Sequence, residues 1–350
     1  MNILYGVQST GHGHISRSKE VITRLKKLGH KVRVLFSGQN PRRLNDIETF
    51  APYEIRPGLT FHTRQGRLQP FKTALNLNLI RFYRDIREYD AAGIDLVITD
   101  YEPISSRIAG RFNLPCIGIG HQYAFCHDIP VSGDNFLTRW VMNRFAPVAY
   151  PVGLHWHHFN TAILPPIVPP HLKPAREIAA DKVLVYLPFE STGDIESLLQ
   201  PLTNHQFHIW GIQEIEVRID QGHLHWHPFS REGFLKDLEQ CRGVISNAGF
   251  ELASEVLHLG KKLLVKPLAG QLEQASNALA VKQLGLGMVM EKLDRSAVAL
   301  WLEQPAGSPM GYPDVAGLIA GWIESGHWED IEGLAKQAWD RTRGTLPTWP

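Results

Sequence analysis

The sequence predicts an α/β protein of two successive parallel-sheet domains, and three observations carry that prediction. Short apolar runs that read as buried strands, among them Ile3–Val7, Val32–Phe36, Asp95–Thr99 and Leu114–Ile119, alternate with segments whose apolar residues recur at helical spacing. A proline-rich stretch, Pro165-Pro166-Ile167-Val168-Pro169-Pro170 with Pro174, reads as a semi-rigid connector, and the same alternation starts afresh at Lys182–Leu187. The chain has 350 residues, enough for two domains with full cores. The expected division is a first domain over 1–164, a connector over 165–181, a second domain over 182–325 and a terminal helix over 326–350 that crosses back to the first.

Composition narrows the class. Hydrophobic residues make up 43% and charged residues 20%, the balance of a soluble globular protein. A net charge of +1 argues against a nucleic-acid partner. Cys116, Cys126 and Cys241 are odd in number and lack metal-ligand spacing, which suits reduced thiols in the cytoplasm. The chain opens on a strand pattern, so neither a signal peptide nor a membrane span is expected.

In chain order, the first strand leads into Gln8-Ser9-Thr10-Gly11-His12-Gly13-His14, and Ile15, Ile22, Leu25 and Leu28 mark a helix ended by Gly29. A dinucleotide fingerprint fails here: Ser16 holds the third glycine position, and Phe36-Ser37-Gly38 offers no acid for a ribose. An imidazole exposed on this turn suits proton abstraction near neutral pH, whereas His12 and His14 as turn-fillers would be the structural alternative. Pro70–Tyr89 reads as an amphipathic helix with Leu75, Leu79, Phe82 and Ile86 on one side and Arg81, Arg84 and Arg87 toward another, a solvated or membrane-facing surface. Asp100 stands at the C-terminal end of its strand, the edge where open α/β sheets place ligands. It can fix the tautomer of His14 there or cap the next helix. Phe136–Phe159, with Arg139, Trp140, Arg144 and Trp156, reads as core, with a lipid-facing patch as the alternative.

In the second half, strands are expected near Phe207–Trp210, His223–Trp226 and Val244. His223, His225 and His227 alternate along one strand, but a single strand rarely gives zinc its tetrahedral geometry and no metal is expected. Gly243-Val244-Ile245 then runs into Ser246-Asn247-Ala248-Gly249-Phe250 and a helix carrying Leu252, Ala253, Val256 and Leu257, stopped at Gly260. Unpaired N–H groups and the positive end of the helix dipole converge on such a turn, a place for a diphosphate without a metal. Glu255, a turn and a half along, suits the paired hydroxyls of a ribose. Lys262–Val265 gives the next strand, a loop spans Pro267–Gly270, and the helix from Gln271 to Leu284 gathers Glu273, Gln274 and Asn277 on one face, a set suited to sugar hydroxyls.

This arrangement resembles the donor-site signature of the inverting, two-domain glycosyltransferases that use nucleotide sugars, the group containing the peptidoglycan N-acetylglucosaminyltransferase and the UDP-glycosyltransferases. The resemblance covers most of the chain and is strongest over 243–280. It implies the GT-B architecture, two Rossmann-like domains facing across a cleft. It implies phosphate at Asn247, Gly249 and Phe250, ribose at Glu255, and a base-side contact at Phe229 in the loop after the His223–Trp226 strand. It implies sugar contacts at Gly270, Glu273, Gln274 and Asn277. Gly-His-Gly-His-Ile is similar to the family's first loop, which makes His14 the base and Asp100 its partner. One departure is Leu187-Pro188-Phe189-Glu190-Ser191, where the family often has a Gly-Ser phosphate loop; proline removes a donor and Glu190 would repel phosphate.

The implied activity is metal-independent transfer of a sugar from a nucleoside diphosphate sugar, a UDP-sugar, to an acceptor hydroxyl. The donor is a co-substrate and no cofactor is required. The acceptor expected from the resemblance is lipid-linked or a cell-envelope glycan, met in the cytoplasm or at the inner face of the membrane. Two rivals share the architecture: a nucleotide-sugar 2-epimerase and a non-catalytic nucleotide-sugar-binding protein.

Overall fold

The computed structural model describes residues 1–9, 12–38, 47–59, 63–64, 67–68, 78–133, 144–175 and 177–349. The side chain of His12, the start of the helix expected at Pro70, and Arg139 with Trp140 lie outside what can be described.

The first sheet has six strands, all parallel. Asn2–Gln8 (β1) pairs with Lys31–Ser37 (β2) on one side and Leu96–Asp100 (β6) on the other. Tyr53–Arg56 (β3) extends it beyond β2, and Cys116–Gly120 (β7) and Tyr150–Gly153 (β8) extend it beyond β6. Thr63–Arg64 (β4) and Arg67–Leu68 (β5) form a separate short pair. The helices are His12–Lys27 (α1), Leu79–Arg87 (α2) and Pro103–Phe112 (α3). Strand β1 is apolar from Ile3 to Tyr5 because the sheet is covered on both faces, Ile3 and Tyr5 packing with α1 and Leu4 with α2 and α3.

The second sheet runs β11-β12-β10-β9-β13-β14-β15, parallel except for its outermost pair. Its strands are Lys182–Tyr186 (β9), Gln206–Trp210 (β10), Ile219–Gln221 (β11), Leu224–Trp226 (β12), Gly243–Asn247 (β13), Lys262–Lys266 (β14) and Met288–Val289 (β15). Its helices are Thr192–Leu199 (α4), Arg231–Gln240 (α5), Phe250–His258 (α6), Leu272–Gln283 (α7) and Arg295–Glu303 (α8).

The terminal helices Val315–Ser325 (α9) and Ile331–Asp340 (α10) tie the halves together. The crossing begins one helix earlier than the boundary expected at 325. Helix α9 already packs on α1, and Arg24 Nε donates to Asp314 at its start at 2.8 Å. Helix α10 follows, Trp339 Nε1 donating to the Ile163 carbonyl at 2.6 Å. Trp322 is buried and Trp328 donates to the Ile323 carbonyl, so these tryptophans serve packing. Trp156, fully buried, donates across to Ser254 of α6 at 2.8 Å and belongs to the core between the domains. Among the described residues no helix is long and apolar enough to cross a membrane.

Candidate functional site

Strand β6 ends on Asp100, fully buried, and α1 opens beside it with His14 in its first turn. The parallel pairing of β1 with β6 places the two ends together, and His14 Nδ1 lies 2.8 Å from Asp100 Oδ1. Ser18 Oγ donates to Asp100 Oδ2 at 2.9 Å, and Arg17 grips both carboxylate oxygens, Nε to Oδ2 at 2.8 Å and Nη2 to Oδ1 at 2.5 Å. Burial alone would raise the Asp100 pKa, but the charges of Arg17 and His14 overcome it and hold the carboxyl below its ordinary range. The capping alternative falls to another residue: Glu102 caps α3, accepting from the backbone N–H groups of Ile104 and Ser105 at 2.8 and 2.6 Å.

Across from this pair lie the C-terminal ends of β13 and β14. Seven of the described helices are capped by a side chain: Asn78, Glu102, Ser191, Ser230, Asp294, Asp314 and Asp330 each accept from a backbone N–H. Helices α6 and α7 are different. Gly249 and Gln271 stand at their N-caps without a side-chain hydrogen bond. The donors of two first turns are thus left to something other than a capping side chain. A β-carbon added to Gly249 would meet nothing within 4 Å, so space lies in front of the turn. Just before it, the buried Ser246 Oγ and Asn247 Oδ1 have no hydrogen-bond partner among the described residues, while Asn247 Nδ2 donates to the Lys266 carbonyl at 3.0 Å. Gly270, with φ of 80°, turns the chain into α7 in an exposed loop.

Glu255 is half-buried on α6, and desolvation pushes its pKa up to about 7 against the pull of Arg231. The folded state therefore holds this proton where the unfolded chain, with a carboxyl near ~4.3, has released it. Stability contributed by the site falls as pH rises from about 4.3 to about 7. Glu255→Gln should abolish that slope, so that the variant gains on the wild type across this window in denaturant titrations at pH 5 and pH 8. Equal behaviour at both pH values would contradict the burial argument.

Several residues expected to touch a ligand have other work. The Phe250 ring is buried and stacks on His121, centroids 4.0 Å apart and planes at 6°, with Trp156 at 5.2 Å on the same ring. Only its backbone remains at the turn, because an aromatic at the first helical position here fills the seam between domains. Asn277 is buried with its amide spent: Nδ2 donates to the Ala248 carbonyl at 2.9 Å, and Oδ1 faces His121 Nε2 at 2.7 Å. It ties the Gly249 turn to the first domain. Gln274 is buried and its Oε1 accepts from Leu268 N at 3.0 Å, bracing the Pro267–Gly270 loop. Glu273 is half-buried and accepts from Gln122 Nε2 at 3.1 Å. Phe229 is 62% exposed in the loop after β12.

The Glu190 departure reads differently in three dimensions. Lys266, which closes β14, places Nζ 2.5 Å from Glu190 Oε1, so the charge that sequence alone sets against phosphate is neutralised locally. The three alternating histidines also part company. His223 Nε2 lies 3.2 Å from the Leu199 carbonyl, His225 sits between Asp220 and Gln206, and His227 stacks on Trp210 and meets His208 at 3.0 Å. Among the described residues His208, His227 and Asp237 come close enough to share an ion. Asp237 is already engaged there by Lys182 Nζ at 2.5 Å, Trp210 Nε1 at 3.0 Å and His208 at 2.9 Å, an arrangement that fastens α5 to the sheet.

Sequence reasoning did not find Arg17, Gln122, His121 or Glu251 as site residues. Arg17 is 3% exposed and donates through Nη1 to Glu251 and through Nη2 to Gln122 Oε1 at 3.2 Å. His121 links the halves through Asn277 and, by Nδ1, faces the Leu154 carbonyl at 2.9 Å. A signal for Arg17 exists in the sequence, three residues after His14 on the same helix face.

Residues 1–304 match the model of glycosyl transferase family 1. No curated protein matches the chain. Among solved structures, the spinosyn rhamnosyltransferase SpnG is similar with a TM-score of 0.61 at 13% identity, covering 97% of each chain. SnogD, a glycosyltransferase from Streptomyces nogalater, is similar with a TM-score of 0.55 at 16% identity, covering 96% of this chain and 98% of its own. LpCGTa, solved in complex with UDP, is similar with a TM-score of 0.59 at 15% identity, covering 96% of this chain and 99% of its own. The fold is therefore GT-B, and the chain belongs to glycosyl transferase family 1, a glycosyltransferase enzyme.

Proposed function

We propose that the enzyme moves a sugar from a UDP-sugar to an acceptor hydroxyl with inversion and without a divalent cation. The carrying observation is the placement of two uncapped helix starts, α6 and α7, against the His14–Asp100 pair. With Nδ1 on Asp100, His14 offers Nε2 to the acceptor. The hydroxyl proton passes to Nε2 as the acceptor oxygen bonds to the anomeric carbon and the bond to the diphosphate breaks. The N–H groups at Phe250 and Glu251 take the charge that develops on the leaving UDP, the role a cation has elsewhere, while the Gly249 N–H holds the turn by donating to the Asn247 carbonyl at 2.8 Å. Glu255 accepts from the ribose hydroxyls in its ionised form, so donor binding tightens as pH rises through about 7. Glu273 reaches the sugar beside Gly270, in the loop that Gln274 braces, and Phe229 lies by the base. The UDP in LpCGTa supports the choice of base.

Product analysis tests the reaction directly. With EDTA present, each UDP-sugar is incubated with and without an acceptor pool, and the anomeric configuration is read by NMR. An inverted glycoside supports the proposal. Retention, a strict metal requirement, or a C2 epimer formed without acceptor would overturn it.

A lipid-linked or cell-envelope acceptor, reached at the inner face of the membrane from the cytoplasm, is the companion proposal. Helix α2 supports it: Leu79, Ile80 and Tyr83 are exposed, Ile80 at 86%, beside Arg84 and Arg87. Ile80→Glu should reduce co-sedimentation with anionic vesicles several-fold; unchanged sedimentation would remove α2 from the acceptor surface.

A further inference from the structure

Arg17 carries more polar contacts across the domain seam than the chemistry of a base and its carboxylate requires. It is nearly fully buried on α1, clamps both oxygens of Asp100, and places Nη2 2.8 Å from His14 Nδ1. Its remaining nitrogen, Nη1, donates to Glu251 in the first turn of α6, in the other domain. Gln122, which accepts from Nη2, itself donates to Glu273 of α7. One guanidinium thus touches the His14–Asp100 pair and, directly or through Gln122, both helices whose amino ends lack caps. The approach is tight enough that a β-carbon at Gly13 would collide with the Glu251 carboxylate, so the glycine before His14 permits this closure.

We propose that Arg17 is a positioning residue that couples domain closure to the His14–Asp100 pair, with Glu251 as its counterpart on the donor domain. The proposal rests on His14 acting at the site described above. When the domains separate, Glu251 leaves the guanidinium, and Arg17, balanced by Asp100 alone, disfavours the imidazolium more strongly. On closure Glu251 neutralises part of that charge while the bidentate grip keeps Asp100 in line with Nδ1. Proton affinity at His14 then depends on whether α6 has arrived. The charged and titratable groups around the pair are Asp100 on β6, Glu251 on α6, Glu273 on α7 and the buried Tyr5 on β1, whose hydroxyl burial pushes well above its ordinary pKa.

The coupling makes the two partners act with opposite sign. Arg17→Gln removes the cation and should move the His14 titration to higher pH. Glu251→Gln leaves the cation uncompensated and should move it to lower pH. Ring ¹H–¹⁵N spectra of the full-length protein across pH read this without any transfer assay, His14 being identified by its loss in His14→Ala. Shifts of opposite sign support the proposal; no shift, or shifts in one direction, overturn it. Should Arg17→Gln fail to fold, Glu251→Gln carries the test and must still shift downward; its failure to do so overturns the proposal. The acid limb of the pH–rate profile should follow the spectra, with kcat lowered about tenfold or more in Arg17→Gln and the donor KM changed only a few-fold. Opposite shifts in the spectra with a rate profile that ignores them would keep the coupling and reject His14 as the base, so the two failures are distinguishable.

Discussion

His14→Ala is expected to lower kcat by about 10²–10⁴-fold, the usual contribution of a positioned general base. The donor KM should hold within a few-fold, because UDP contacts are assigned to α6 and α7 and not to α1. His14 stands in the first turn of α1, and its removal leaves the Arg17–Asp100 ion pair in place, so the melting temperature should stay close to that of the wild type. A variant that transfers sugar at the wild-type rate would reject the assignment. Asp100→Asn should lower kcat as well, and it also leaves Arg17 buried without its carboxylate, a loss that costs roughly 3–5 kcal/mol of stability. The pair of variants therefore separates chemistry from folding: His14 changes the rate alone, Asp100 changes both.

Phe250→Ala carries a large expected stability effect at an apolar position. The ring is 2% exposed and lies between His121 and Trp156, at the seam where the two domains meet. Truncating a buried phenylalanine costs about 3–5 kcal/mol through lost transfer energy and an unfilled cavity. The loss should appear as a lower denaturant midpoint together with weaker binding of UDP, since the same ring seats the first turn of α6. Phe250→Leu, which keeps most of the volume, should recover much of both. A Phe250→Ala protein as stable as the wild type would mean that the seam is not closed in solution.

The central strands were legible in the sequence because both their faces are covered. Ile3–Val7, Lys182–Leu187 and Gly243–Ile245 read as continuous apolar runs and lie in the middle of their sheets. Edge strands were not. Strand β8 contains Pro151, tolerated where one side has no neighbour to bond, and β15 is only Met288–Val289, too short for any periodicity. At the site, His14 and Asp100 were legible because each ends a strand or opens the turn after it, where chemistry needs few neighbours to be recognised. Arg17 and Glu251 were not, because a charged residue on a helix reads as solvated until a second domain covers it. Asn277 has a second role that sequence did not show: its amide joins the Ala248 carbonyl to His121 across the seam, a contact between residues far apart in the chain. Lys266 escaped for a related reason, since its pairing with Glu190 spans 76 residues and no local pattern joins them.

The central claim is that the uncapped turn at Gly249 holds a nucleoside diphosphate without a metal. Calorimetric titration of UDP into the purified protein in EDTA tests it most directly, with Gly249→Glu as the paired variant, whose side chain would enter the space in front of the turn and repel phosphate. The account predicts saturable binding of UDP to the wild type, unchanged by added magnesium, and a loss of at least tenfold in Gly249→Glu at an unchanged melting temperature. Binding that requires a divalent cation, or that survives Gly249→Glu intact, would contradict it.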